Sequence, residues 1–126
     1  MPARFEPGLL ERLRGVEEVE IVTRRRNGPP RRTVIWVIVD EGGRVLIRSV
    51  RGPRGQWWRE ARAEPRITLD LASELVLTTA ELADDADRVE ATSRELRPKY
   101  VGHGASLVAM LRDETLPTTL ELFPRP

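Results

Sequence analysis

Cysteine is absent from the 126 residues, and His103, Lys99 and Tyr100 are each the only one of their kind. Without cysteine there can be no disulfide, no thiolate metal site and no cysteine nucleophile. A single histidine cannot build a multi-histidine metal centre or a repeated acid–base array, so no metal is expected. Long apolar runs are missing too. None approaches the roughly 18 residues that cross a bilayer, and the opening MPARFEPGLLERLRG lacks the apolar core and cleavage site of a signal peptide. The expected location is the cytoplasm, with no membrane partner.

What is present reads as one globular domain spanning residues 1–126, with 33% charged and 40% hydrophobic residues. The net charge of +1 hides an uneven spread. Residues 1–66 hold fifteen Arg against nine acids, and residues 67–126 hold six basic against eleven acidic residues. Arg presents a planar fork suited to phosphate or carboxylate, where Lys is a point charge. The run Arg24-Arg25-Arg26, with Arg31 and Arg32 nearby, lacks interleaved aromatics. It reads as a solvated hairpin tip rather than a nucleic-acid surface.

Hydrophobic spacing predicts a helix over 7–13 and strands over 16–23, 33–39 and 44–50. A helix over 56–63 follows, then strands over 66–71 and 74–82, helices over 86–100 and 105–112, and a strand over 118–123. The stretch TVIWVIV (33–39) is β-branched or aromatic throughout, which predicts a central strand buried on both faces. Six short strands joined mainly by hairpins predict an antiparallel sheet, and closure removes exposed edges. The expected class is therefore a small β-barrel with helices, α+β.

Residues 51–60, RGPRGQWWRE, mix loop and core residue types. Arg48, Arg51, Arg54 and Arg59 can anchor an anion. The glycines allow close approach of backbone N–H groups, and a helix starting near Gln56 adds its positive end. Trp36, Trp57 or Trp58 can supply a flat wall for a ring. Equally, Trp57 can pack on the barrel and Trp58 can cover a core or subunit seam. The acid Glu60 lies in the same helix and would repel a phosphate unless Arg59 or Arg62 neutralises it. His103 sits in a Gly-His-Gly loop with no partner cluster. Tyr100 reads as a packing residue before it reads as a proton donor.

The segment TVIWVIVDEGGRVLIRSVRGPRGQWWREARAEPRITLDL resembles the core of the flavin-binding split-barrel superfamily, the fold of pyridoxamine 5′-phosphate oxidase. The resemblance rests on Trp36 after Thr33, the Gly-containing hairpin, Arg48-Ser49 at a strand end, the glycine loop, the Trp57-Trp58 pair and Glu64-Pro65-Arg66. It is nearest the deazaflavin-dependent nitroreductase branch and related small bacterial proteins. It implies a six-stranded antiparallel split barrel and a homodimer holding FMN or the deazaflavin coenzyme in a cleft, for hydride transfer to a small organic substrate. By position it places Thr33, Ile35 and Trp36 beside the ring and Arg48 and Ser49 near the phosphate. Gly55, Trp57, Trp58 and Arg59 fall where the helix start meets the cofactor. A non-catalytic dimeric barrel, with a degenerate or small-anion-binding pocket, is the alternative that Trp57 and Glu60 keep open.

Overall fold

The computed structural model describes residues 4–72 and 74–126. Helix α1 (Pro7–Gly15) leads into β1 (Val19–Thr23) and β2 (Arg31–Ile35), then β3 (Ile38–Val39) and β4 (Val45–Ile47). Helix α2 (Gln56–Ala63) is followed by β5 (Arg66–Asp70), β6 (Leu75–Leu82), α3 (Ala86–Lys99), α4 (Ala105–Met110) and β7 (Leu120–Pro124). Among the described residues, three short 3₁₀ segments, at 52–54, 101–103 and 113–118, fill the connections.

The strands form one sheet in the order β2-β1-β5-β6-β7-β4-β3, and every neighbouring pair is antiparallel. The two outermost strands, β2 and β3, are separated in sequence only by Trp36 and Val37. Three Cα steps of about 3.8 Å reach at most roughly 11 Å. The opposite edges of the sheet must therefore lie together, and the sheet curls into a half-barrel. This corrects two sequence expectations. There are seven strands among the described residues, not six, because TVIWVIV breaks at Trp36-Val37. Nor is its first half buried on both faces: Val34 is 58% exposed on an edge strand. The second half behaves as expected. Ile38 packs outside the barrel and Val39 inside it. No glycine, proline or polar residue marks the break, so periodicity alone could not find it.

The barrel interior is filled by Leu13, Ile21, Ile35, Val45, Ile47, Ile67, Leu69, Leu120 and Leu122, with Trp57 of α2 as a lid. A second cluster lies between the sheet's outer face and the later helices, with Ile38, Leu46, Ala91, Leu96, Tyr100 and Met110. Strand β4 serves both. Val45 and Ile47 face in and Leu46 faces out, as a two-residue period requires. The next outward position is Arg48, directed at α3 and α4.

Helix α3 starts at Asp85, whose side chain accepts from the Arg88 N–H, a side-chain cap on the first turn. Its last residue, Lys99, is half-buried and donates from Nζ to Leu13 O at 2.9 Å and Val37 O at 2.7 Å. Burial pulls the Lys99 ammonium down to about 8. The unfolded chain keeps this proton up to its ordinary value near 10.5, so this group adds stability as pH rises between about 8 and 10.5. With one lysine in the chain, ¹³C-lysine labelling gives a single Cε resonance. Its titration midpoint is expected near 8, and a midpoint above 10 would contradict this burial.

Candidate functional site

A cleft of about 410 Å³ opens where β2, the end of β4 and the start of α2 converge. That volume suits a small-molecule site. Thr33, Ile35 and Trp36 line one side, and Arg48, Ser49, Val50 and Arg51 another. Gly55, Gln56 and Trp57 close a third side, with Met110, Arg31, Val34 and Glu18 completing the lining. Seven of the nine residues proposed from sequence thus meet in one place. Trp58 and Arg59 do not. Trp58 is half-buried against the core and donates from its indole to Thr118 O at 2.9 Å, so it packs. Arg59 is exposed on the other side of the helix.

The loop before α2 has little freedom. Gly52 N donates to Ser49 O and Gly55 N to Gly52 O, at 3.0 and 3.1 Å. The Ser49 hydroxyl donates to Gly52 O at 2.8 Å, while Ser49 N donates to Thr118 Oγ1 at 3.0 Å. The glycine N–H groups expected to face a phosphate are therefore committed within the turn. The free donors lie one step later. Arg59 N bonds Gly55 O, so the N–H groups of Gln56, Trp57 and Trp58 open the helix without a backbone acceptor among the described residues, as the first turn of any helix does. Gln56 and Trp57 line the cleft, which points the positive end of α2 into it.

Arg48 is the largest fully buried side chain among the described residues, at 2% exposure. It donates to Thr119 Oγ1 (3.1 Å), Ser93 Oγ (2.9 Å), Met110 O (3.3 Å) and Val89 O (2.9 Å). All four acceptors are neutral. Burial, and then the charge of Arg97, pulls the guanidinium down to about 10. It still carries its charge at neutral pH. The floor of the cleft thus holds a buried cation with no carboxylate within salt-bridge distance among the described residues. Four of the five guanidinium hydrogens are used. With one guanidinium hydrogen left, what Arg48 offers the cleft is mainly its field, which the surrounding low dielectric strengthens.

Glu60 finds its counter-charge in Arg31 of β2, not in Arg59 or Arg62. Arg31 Nε reaches both carboxylate oxygens at 2.9 and 3.0 Å, and the buried Thr23 hydroxyl donates at 2.8 Å. Burial alone would raise the Glu60 carboxyl, but these bonds and the charges of Arg31 and Arg25 outweigh it and hold it below its usual range. The charge with which Glu60 would repel an anion is thus neutralised by Arg31. Sequence reading missed Arg31 because its neighbours suggested a hairpin tip, and missed Gln56 and Met110 because nothing local distinguishes them. Glu18, Thr33, Arg51 and Gln56 have side chains without a hydrogen bond or ion pair among the described residues. They are the polar groups free to meet a ligand. His103 lies outside this lining, and no group of three metal-ligating side chains occurs among the described residues.

A curled antiparallel sheet whose edges meet at one strand break, with a cleft beside that break, defines a split barrel. Solved structures agree on the fold. HutZ, the heme storage protein of Vibrio cholerae, superposes with a TM-score of 0.64 at 12% identity, over 98% of this chain and 92% of that one. A candidate pyridoxamine 5′-phosphate oxidase from Listeria innocua gives 0.62 at 14% identity, over 94% and 90%. An F420-H2-dependent reductase gives 0.61 at 14% identity, over 84% and 93%. The chain thus has the fold of the flavin-binding split-barrel superfamily. Residues 9–122 match the model of DUF2255, described as an uncharacterised protein conserved in bacteria, and the chain belongs to that family. No curated protein matches it.

Proposed function

We propose that the cleft binds a flavin-type cofactor, FMN or the deazaflavin coenzyme, and that the protein carries out hydride transfer to a small organic substrate. The observation that carries this reading is the pairing, in one cleft, of an aromatic and aliphatic wall with a cationic end. Ile35, Trp36 and Trp57 form the wall; Arg48, Arg51 and the start of α2 form the cationic end. The reductase and oxidase neighbours support it at the level of fold. The cofactor, when bound, supplies the hydride chemistry. The chain's own residues bind and orient. Trp36 and Ile35 flank the ring, and Thr33 and Gln56 offer polar contacts at its edge. Arg51 and the N–H groups of Gln56 and Trp57 hold the phosphate or other anionic side chain.

A homodimer belongs to the same proposal. Val34, Glu20, Asp70 and Leu75 stand directly opposite one another across four strands, and Arg32, Val22, Thr68 and Leu77 form the next row. Val34, Leu75 and Leu77 expose 58%, 63% and 43% of their surface there, an apolar share suited to a second copy.

Titration with FMN and with the deazaflavin coenzyme, followed by fluorescence, is expected to saturate at one ligand per chain for at least one of them. Arg51→Ala should weaken that binding about tenfold, the worth of one charge-assisted contact. No saturable change with either compound would reject the reading.

A further inference from the structure

The cleft wall at Trp36 is the point where the two edges of the sheet meet, and something must hold an indole steady at a break in a strand. Tyr100, the residue after α3, lies under it. The two rings are parallel to within 2°, with centroids 3.9 Å apart. Tyr100 is fully buried. Its hydroxyl accepts from Val37 N at 3.2 Å and lies 2.7 Å from Glu17 O and 3.1 Å from Val37 O. Val37 is the residue that joins β2 to β3, so Tyr100 grips both the ring and the backbone beside it. His103 stands edge-on to both rings, 5.1 Å from Trp36 and 5.6 Å from Tyr100, and pairs with Glu17. Burial pushes the Tyr100 phenol up to about 12, so it stays neutral. Its hydroxyl is spent on the backbone and has no part in proton transfer in the cleft.

Because one face of the indole is covered by Tyr100, only the opposite face and the rim of Trp36 remain for the cleft. We infer that Tyr100 is a positioning residue: by fixing the plane of Trp36 it makes the cleft selective for a flat ring system, separately from the cationic end that takes the anion. The inference rests on the flavin reading above and divides it into two parts. The stack sets ring affinity, whereas Arg51 and the start of α2 set anion affinity. The hydroxyl sets stability of the strand break, and the phenyl plane sets Trp36.

The test compares FMN with riboflavin, which has the ring without the phosphate. Tyr100→Leu is expected to weaken both about five- to tenfold, leaving their ratio unchanged. Tyr100→Phe keeps the stack, so it should bind both ligands as the wild type does while unfolding at lower temperature. Arg51→Ala should weaken FMN alone. Tyr100→Leu binding as tightly as the wild type, or Tyr100→Phe losing as much affinity as Tyr100→Leu, would overturn the inference. If the wild type binds neither compound and does not bind the deazaflavin coenzyme, the flavin reading fails; in either case ¹⁹F spectra of 5-fluorotryptophan-labelled protein then decide the role of Tyr100 alone. The Trp36 resonance, assigned by Trp36→Phe, should move in Tyr100→Leu and hold in Tyr100→Phe. A Trp36 resonance unmoved in Tyr100→Leu would overturn it.

Discussion

Arg48→Ala is expected to destabilise the protein by about 3 kcal/mol, a fall of roughly 10 °C in Tm for a chain of this size. The side chain ties β4 to α3 through Val89 and Ser93, to the end of α4 through Met110, and to the start of β7 through Thr119. Truncation removes four hydrogen bonds and leaves a cavity where the largest buried side chain stood. Two effects oppose this loss. Met110 O keeps a bond from Thr115 Oγ1 at 2.8 Å, and the cost of burying an unpaired charge disappears. Arg48→Met fills most of the volume and removes the same charge. It should therefore cost less than half as much as alanine. Both variants should lose affinity for an anionic ligand equally, because both remove the field at the cleft floor. Thermal melts and FMN titrations of the two variants separate the roles. Equal destabilisation by Met and Ala would contradict the claim that the volume vacated by Arg48 carries much of the cost.

Gly52→Ala is expected to cost about 3 kcal/mol or more, and Gly55→Ala to be rescued in part by a second change. Gly52 has φ +64°, and a Cβ there would lie 2.8 Å from the Glu114 carbonyl oxygen, a backbone atom that cannot swing away. Gly55 has an ordinary φ, but its Cβ would overlap the Ser49 hydroxyl. The next atom back, Ser49 Cβ, stands at 3.6 Å, an ordinary contact. Ser49→Ala should then make Gly55→Ala tolerable at the cost of the bond from Ser49 Oγ to Gly52 O. Chemical denaturation should show the double variant to be more stable than Gly55→Ala alone, with a coupling of about 1 kcal/mol or more. A double variant no better than the single one would mean that the glycine is needed for some other reason.

The glycines illustrate what could be read from the sequence. Their presence in RGPRGQWWRE announced a tight loop opening a helix, and α2 runs over Gln56–Ala63 as its pattern predicts. Their purpose was not legible, because the atoms they avoid belong to Ser49 and to Glu114, the latter 62 residues beyond Gly52. Helix and strand positions followed from hydrophobic period wherever one face was buried, as in β5 and β6. That reasoning failed at Trp36-Val37, where ring closure bends a strand with no local turn residue. The cleft's composition was largely legible, since Thr33, Trp36, Arg48 and Trp57 lie close in sequence and converge through one hairpin. Partner choice was not. Pairing Glu60 with Arg31, or stacking Tyr100 on Trp36, depends on which strands and helices become neighbours, and no local pattern encodes that.

The most direct measurement of the central proposal is the absorption spectrum of the purified protein, before and after addition of FMN, the deazaflavin coenzyme and hemin in separate titrations. The account predicts a shifted flavin or deazaflavin band that saturates at one equivalent per chain and is lost in Arg51→Ala combined with Trp36→Ala. An unshifted band at every concentration of both flavin compounds, or saturation by hemin alone, would contradict it.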